Sequence, residues 1–356
     1  MKLFFRTEKA LAIEGGAVYL PMSLKTTERT RALTKRRKTC LYEKDKIAAV
    51  FPGQGAQRPG MGKDFHGNIS VCRKVYEEAS QATGWDIAAM CFGDDERLNL
   101  TEFTQPCILT TEIAMLRSLE TLFGFSPILF GGHSLGEFTA LVAAGALPLS
   151  EAVRIVQIRG RLMQEAVPVG RGSMAAVISN NVDIELVRLA LKDLSIDIAN
   201  INSTNQIVIS GQAKEMPEAE SRLRDGLDSG RSFRFIPLNV SAPFHSRFMS
   251  TIVGPFEEIL RVVGEGIDPD KSVSVTSNFR GIFHSGLYED LIYNLVSQLS
   301  HPVLWVDNMR ALASQTEMIY EVGPGRPLRD FFKTINITCT PITTLATAEK
   351  IFKKSG

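Results

Sequence analysis

Gly132-His133-Ser134-Leu135-Gly136 constrains this chain more than any other stretch of it. Its spacing matches the GxSxG nucleophile elbow, which requires an extended strand before the serine and a helix after it. Both are expected here, a strand over 127–132 and a helix over 136–144. A turn this sharp lifts the serine hydroxyl above a sheet and aims the first amides of the helix at the space beside it, where negative charge is stabilised. Ser134 is therefore a candidate nucleophile, and a tight structural turn with an ordinary serine is the plainer alternative.

The flanking pattern agrees with a sheet of that kind. An apolar run over 47–51 reads as a buried strand and breaks into Pro52-Gly53-Gln54-Gly55, a turn-rich loop. Helices are expected over 70–83 and 105–123. Strands alternating with helices imply an α/β fold with a mostly parallel sheet covered on both faces. Between 170 and 240 the rhythm changes to strand 173–179, helix 182–194, strands 196–202 and 206–210, helix 213–227 and strand 232–240. That β-α-β-β-α-β order is the ferredoxin-like one and fits an inserted small subdomain. The earlier rhythm then resumes with helix 249–263, strand 273–277, helices 288–299 and 303–314, and strand 318–322. The expected division is an extension over 1–46, a catalytic body over 47–169 and 241–345, the insert over 170–240, and a tail over 346–356.

Composition excludes several functions. With 40 Lys+Arg against 39 Asp+Glu the formal net charge is +1, so no broad basic field exists to hold nucleic acid. The five cysteines are scattered, with no CxxC and no histidine at ligand spacing, which argues against a disulfide framework or a zinc knot and fits a reducing, cytoplasmic compartment. No apolar run is long enough to span a bilayer. The stretch 1–46 carries the basic cluster Lys35-Arg36-Arg37-Lys38 together with Glu8, Glu14 and Glu28. A loosely packed extension, an organelle address and a translation start further downstream all stay open for it.

A serine hydroxyl needs a base. Of the five histidines, His133 adjoins Ser134 and should point away from it in an elbow, which suits a supporting role. His245 lies just after the last strand of the insert, where the chain re-enters the large body at a cleft mouth. By residue type alone a lone histidine on a loop is more often an ordinary surface residue than a base. The glycine-rich backbone around Gln54, at the same sheet edge as Ser134, suits amide donation to an oxyanion, and no GK[ST] follows to make it a phosphate loop. Arg159, on the helix after the elbow helix, either faces solvent beside Arg154 and Arg161 or turns inward to grip a carboxylate bidentately.

Taken together, seven segments in order resemble the malonyl-CoA:acyl-carrier-protein transacylase family, the acyltransferases of fatty acid and polyketide synthesis. They are Phe51-Pro52-Gly53-Gln54-Gly55, the elbow with Glu137, Arg159-Gly160 with Met163-Gln164, Asn202-Ser203 with Val208-Ile209-Ser210-Gly211, Pro243-Phe244-His245-Ser246, Gln298 before His301-Pro302-Val303, and Glu321-Val322-Gly323-Pro324-Gly325. The resemblance implies an α/β-hydrolase-like large domain with a ferredoxin-like insert and the active site between them. It implies Ser134 as nucleophile and His245 as base, with the backbone amides of Gln54 and Leu135 as oxyanion hole. Arg159 would pair with the malonyl carboxylate, and His133, Asn202, Phe244 and Gln298 would line the substrate site, Gln298 also giving the carbonyl that orients the histidine. The implied partners are malonyl-CoA and an acyl carrier protein, with no metal or cofactor and a monomeric state. An acyl-thioester hydrolase on the same Ser-His pair is the rival reading, and the presence of Arg159 weighs against it. Phe244 and Leu135 point to malonyl over branched units.

Overall fold

The computed structural model describes residues 46–227, 233–240 and 242–353. The expectations for 1–45, including the basic cluster, lie outside the described residues. Strands β1 (Ile47–Phe51), β2 (Leu129–Gly132), β7 (Met318–Val322) and β8 (Cys339–Ile342) form a parallel sheet in the order β2-β1-β7-β8. Ala48, Ala49, Val50 and Phe51 of β1 are fully buried, as a central strand covered on both faces requires. The register pairs Phe51 with Gly132, so the loop after β1 and the elbow after β2 leave the same sheet edge side by side.

Helices α1 (Lys63–Asn68), α2 (Ser70–Thr83), α3 (Ile87–Phe92) and α4 (Thr101–Phe123) follow β1. Helices α5 (Leu135–Ala143) and α6 (Leu149–Glu165) follow β2, and α4 packs against α2, α5 and α6. The helix expected from 105 starts at Thr101. Pro106 reads as a helix start, but here it sits inside the helix and only removes one donor from the ladder.

The insert holds β3 (Gly172–Ile178), α7 (Ile184–Leu191), β4 (Ile196–Ser203), β5 (Gln206–Gln212), α8 (Met216–Leu227) and β6 (Arg234–Pro237). Its sheet is antiparallel in the order β4-β5-β3-β6. Alternation divides its faces. Ala175, Val177, Ile207 and Ile209 build a core with α7 and α8, while Met174, Ala176 and Val208 join the core of the large body. Strand β6 ends sooner than the sequence suggests, at Pro237, which has no amide to continue the ladder.

The chain returns through a 3-10 turn (Arg247–Ile252) into α9 (Val253–Val263), where the sequence suggests one helix from 249. Pro255 lies in the first turn of α9, the place where a missing amide costs least. The strand expected over 273–277 is a correction: Pro269–Ser274 is a 3-10 turn, and only isolated bridges, Phe130–Val275 and Thr276–Phe283, follow. The segment turns back on itself at Gly281 (φ 69°), so its amides bond its own return, Ser277 N–H to Ile282 O and His284 N–H to Val275 O. Helices α10 (Tyr288–Ser297), α11 (Trp305–Ala313), α12 (Pro327–Thr334) and α13 (Leu345–Phe352) complete the body. Helix α13 occupies most of the stretch expected as a tail, because Phe352 stacks on Phe123 and Tyr320. Among the described residues no helix is long and apolar enough to cross a membrane, and the cysteines are free and buried.

Candidate active site

The elbow is built by close backbone approach. A Cβ on Gly132 would lie 2.0 Å from the Gly136 carbonyl carbon, and one on Gly136 would lie 2.2 Å from the Phe51 oxygen, so only glycine fits at either place. Ser134, between them, takes φ 53° and ψ −102° as N-cap of α5. Asn278 clamps the turn: its Oδ1 accepts the Ser134 N–H at 2.6 Å and its Nδ2 donates to the Gly132 carbonyl at 2.7 Å. Those two bonds hold a serine backbone that is costly by itself.

His245 arrives from the segment after β6, also with positive φ, 55°. Its Nε2 lies 2.8 Å from Ser134 Oγ, and its Nδ1 donates to the Gln298 carbonyl at 2.7 Å. That second bond puts the proton on Nδ1 and leaves the Nε2 lone pair facing the hydroxyl. Burial pushes its pKa down to about 3, the Arg159 charge adds to this, and the Gln298 carbonyl opposes it. The imidazole is therefore neutral at any physiological pH.

Arg159 turns inward from α6 and is 1% exposed. Its Nη1 donates to Gln105 Oε1 at 2.9 Å, its Nη2 to Gln298 Oε1 at 2.7 Å and to Ser134 Oγ at 3.2 Å, and its guanidinium lies 5.4 Å from the Phe138 ring centroid. Burial lowers its pKa to about 10, with Glu137 acting the other way, so it stays charged.

These groups open on a cleft of about 480 Å³ between the two sheets. Gln54, Leu135, Phe244 and Asn202 also line it. His133 points away from Ser134 and donates from Nε2 to Asn202 Oδ1 at 2.8 Å, which puts the ring proton on Nε2. Gln54 anchors its loop by donating from Nε2 to Thr101 Oγ1 at 3.2 Å. The Leu135 amide is one of the unpaired donors at a helix start. Eight of the nine residues singled out in the sequence thus line one cleft, and the ninth, Gln298, is fully buried behind it, holding His245 and Arg159. Gln105 lines it as well and Asn278 supports the elbow from beneath, and the sequence singled out neither. Nothing in the sequence around Asn278 or Gln105 marks either one, since each acts by holding another group. Among the described residues no group of three or more His, Cys, Asp or Glu is placed to hold a metal ion.

The acyl transferase domain family matches residues 49–277. A malonyl CoA-acyl carrier protein transacylase of Bacillus subtilis (strain 168) is 37% identical over 299 residues, covering 82% of this chain and 90% of that relative. The chain belongs to this family of acyltransferases. Among solved members, the malonyl CoA-acyl carrier protein transacylase of Clostridium perfringens superposes with a TM-score of 0.78 at 36% identity, covering 87% of this chain and 97% of that one. A malonyl-transacylase of a type II polyketide system, solved in complex with its acyl carrier protein, gives a TM-score of 0.78 at 31% identity over 87% and 100% of the two chains.

Proposed function

We propose that this acyltransferase moves a malonyl group from malonyl-CoA to the phosphopantetheine thiol of an acyl carrier protein through a malonyl-serine intermediate. One observation carries the reading: a single oxygen, Ser134 Oγ, lies 2.8 Å from the neutral imidazole of His245 and 3.2 Å from the buried guanidinium of Arg159. Nucleophile, base and carboxylate-binding cation converge on one point.

In the first half-reaction His245 Nε2 takes the hydroxyl proton as Ser134 Oγ bonds to the thioester carbonyl carbon. The amides of Gln54 and Leu135 hold the oxyanion, the carbon–sulfur bond breaks, and His245 returns the proton to the departing CoA thiolate. The second half runs the same steps with the carrier thiol as nucleophile. Arg159 holds the free carboxylate in both, and an acetyl group would leave that cation unpaired. Phe244 crowds an α-methyl branch, and the His133–Asn202 pair shapes the wall beside it. One thioester is exchanged for another, so the reaction is close to energy-neutral and calls for no cofactor, metal or ATP. The large body is read as α/β-hydrolase-like, the insert over 170–240 as ferredoxin-like, and the compartment as the cytoplasm.

Intact-mass measurement with malonyl-, methylmalonyl- and acetyl-CoA tests the proposal. A malonyl adduct should dominate, be discharged by holo acyl carrier protein, and vanish in Ser134→Ala. Arg159→Ala should cut malonyl acylation about a hundredfold or more while raising acetyl acylation. Equal labelling by all three thioesters, or release of free malonate faster than transfer, would refute it.

A further inference from the structure

Arg159 sets a problem that its own contacts do not solve. A fully buried guanidinium is costly without an anion, yet its three acceptors, Gln105 Oε1, Gln298 Oε1 and Ser134 Oγ, are all neutral oxygens. The nearest answer lies one side chain further. Gln298 Nε2 donates to Glu137 Oε2 at 2.5 Å, so the amide that accepts from the guanidinium also donates to a buried carboxylate. That carboxylate is fully buried and is met by donors on both oxygens: the Asn278 main-chain N–H at 3.1 Å on Oε2 and His284 Nε2 at 3.0 Å on Oε1. His284 Nδ1 faces the Asn294 amide nitrogen at 3.3 Å, which can only donate, so the ring is neutral with its proton on Nε2. No acceptor is left for a carboxyl proton, and the group is a carboxylate.

We propose that Glu137 is a positioning residue for the reaction, the remote counter-charge of Arg159, acting through the side-chain amide of Gln298. This rests on the malonyl-transfer reading and deepens it. A carboxylate in direct contact with Arg159 would have to be displaced by the substrate. Separated by one amide, Glu137 supports the positive charge through a polarised bridge and leaves the guanidinium edge open for the acyl carboxylate. It also fixes which way the Gln298 amide points: Nε2 toward the carboxylate, Oε1 toward Arg159. With a neutral partner only the longer bond from Nε2 to the Ser134 carbonyl, at 3.2 Å, still favours that orientation, and the amide turns more readily to present its NH2 to the guanidinium, which would repel it.

The test compares Glu137→Gln, Glu137→Asp and the unmodified protein in Ser134 acylation by malonyl-CoA and acetyl-CoA, with thermal melting as a check on folding. Glu137→Gln should lower the malonyl/acetyl ratio of kcat/KM by about tenfold or more, chiefly through the malonyl KM. Glu137→Asp should restore most of that ratio even if it melts lower. A second variant, Gln298→Met, cuts the bridge and keeps the main-chain carbonyl that orients His245, and should lose the ratio in the same way. A purely structural role for Glu137 lowers both substrates alike. If any folded Glu137→Gln or Gln298→Met protein keeps the ratio within about twofold, the proposal is overturned. If the unmodified protein shows no malonyl preference, it is the transfer reading that fails.

Discussion

At the scale of single residues, His245 links catalysis to acid stability. Its pKa is held down to about 3 in the fold by burial, against the ordinary 6.5 of an unfolded histidine. Below pH 6.5 the unfolded chain takes up a proton that the folded site refuses, so stability falls with pH from there toward 3. Between pH 7 and pH 5 that one group removes about 2 kcal/mol. Asparagine tolerates the left-handed backbone at φ 55° and does not titrate. His245→Asn should therefore show a smaller drop in Tm from pH 7 to pH 5 than the unmodified protein, by several degrees, while acylating Ser134 about a thousandfold more slowly. Equal drops in Tm would mean that the native imidazole already carries a proton.

At the scale of elements, the approach of α6 to the start of α4 sets where Arg159 and its acceptor meet. A Cβ on Gly160 would lie 2.5 Å from the Thr101 carbonyl oxygen and 2.9 Å from Glu102 Cα, both backbone atoms that can move only with the helix. Gly160→Ala should push the first turns of α4 outward, taking Gln105 from Arg159 and Thr101 from Gln54. The expected result is about 2 kcal/mol of destabilisation and a malonyl-CoA kcat/KM lower by at least about tenfold. Gly254, exposed on α9 with no atom near its added Cβ, is the control, and its alanine variant should be neutral or slightly stabilising. A Gly160→Ala protein with normal kinetics would show that the two helices yield without disturbing the site. The same elements mark the limits of the sequence. Helix α2 and strands β1 and β7 have the bounds that periodicity assigns, because each is long or apolar enough to carry its own signal. The short pieces α1, α3, α12 and β8 were not legible, since four to eight residues hold too few repeats for a period. Ser134, His245 and Arg159 were legible as motifs. Gln105 and Asn278 were not, because an amide that works by holding another side chain has no pattern of its own along the chain.

At the scale of the whole molecule, the two sheets share one cleft and one of the apolar clusters. The insert has its own cluster around Val177, Val187, Ile207 and Leu223, which by itself could support separate unfolding. Its other face cannot stand alone: Met174, Ala176 and Val208 are buried in the cluster of the large body, and separation would bare them to water. Backbone bonds cross the boundary too, Ile201 N–H to Val303 O and Val303 N–H to Ala199 O, both at 2.9 Å. Arg247, just past His245, reaches back to Asp197 on β4, with Nε 2.9 Å from Oδ1. That pair is half exposed and adds little, so the apolar face and the crossing backbone bonds must carry the coupling. Calorimetry should then give one cooperative unfolding transition, and the amides of β4 and β5 should exchange at a free energy close to those of β1 and β7. A malonyl adduct on Ser134, pinned by groups from both sheets, should raise that single transition without splitting it. Two transitions, with β4 and β5 exchanging early, would show that the insert opens as a unit and that the cleft is gated by its motion.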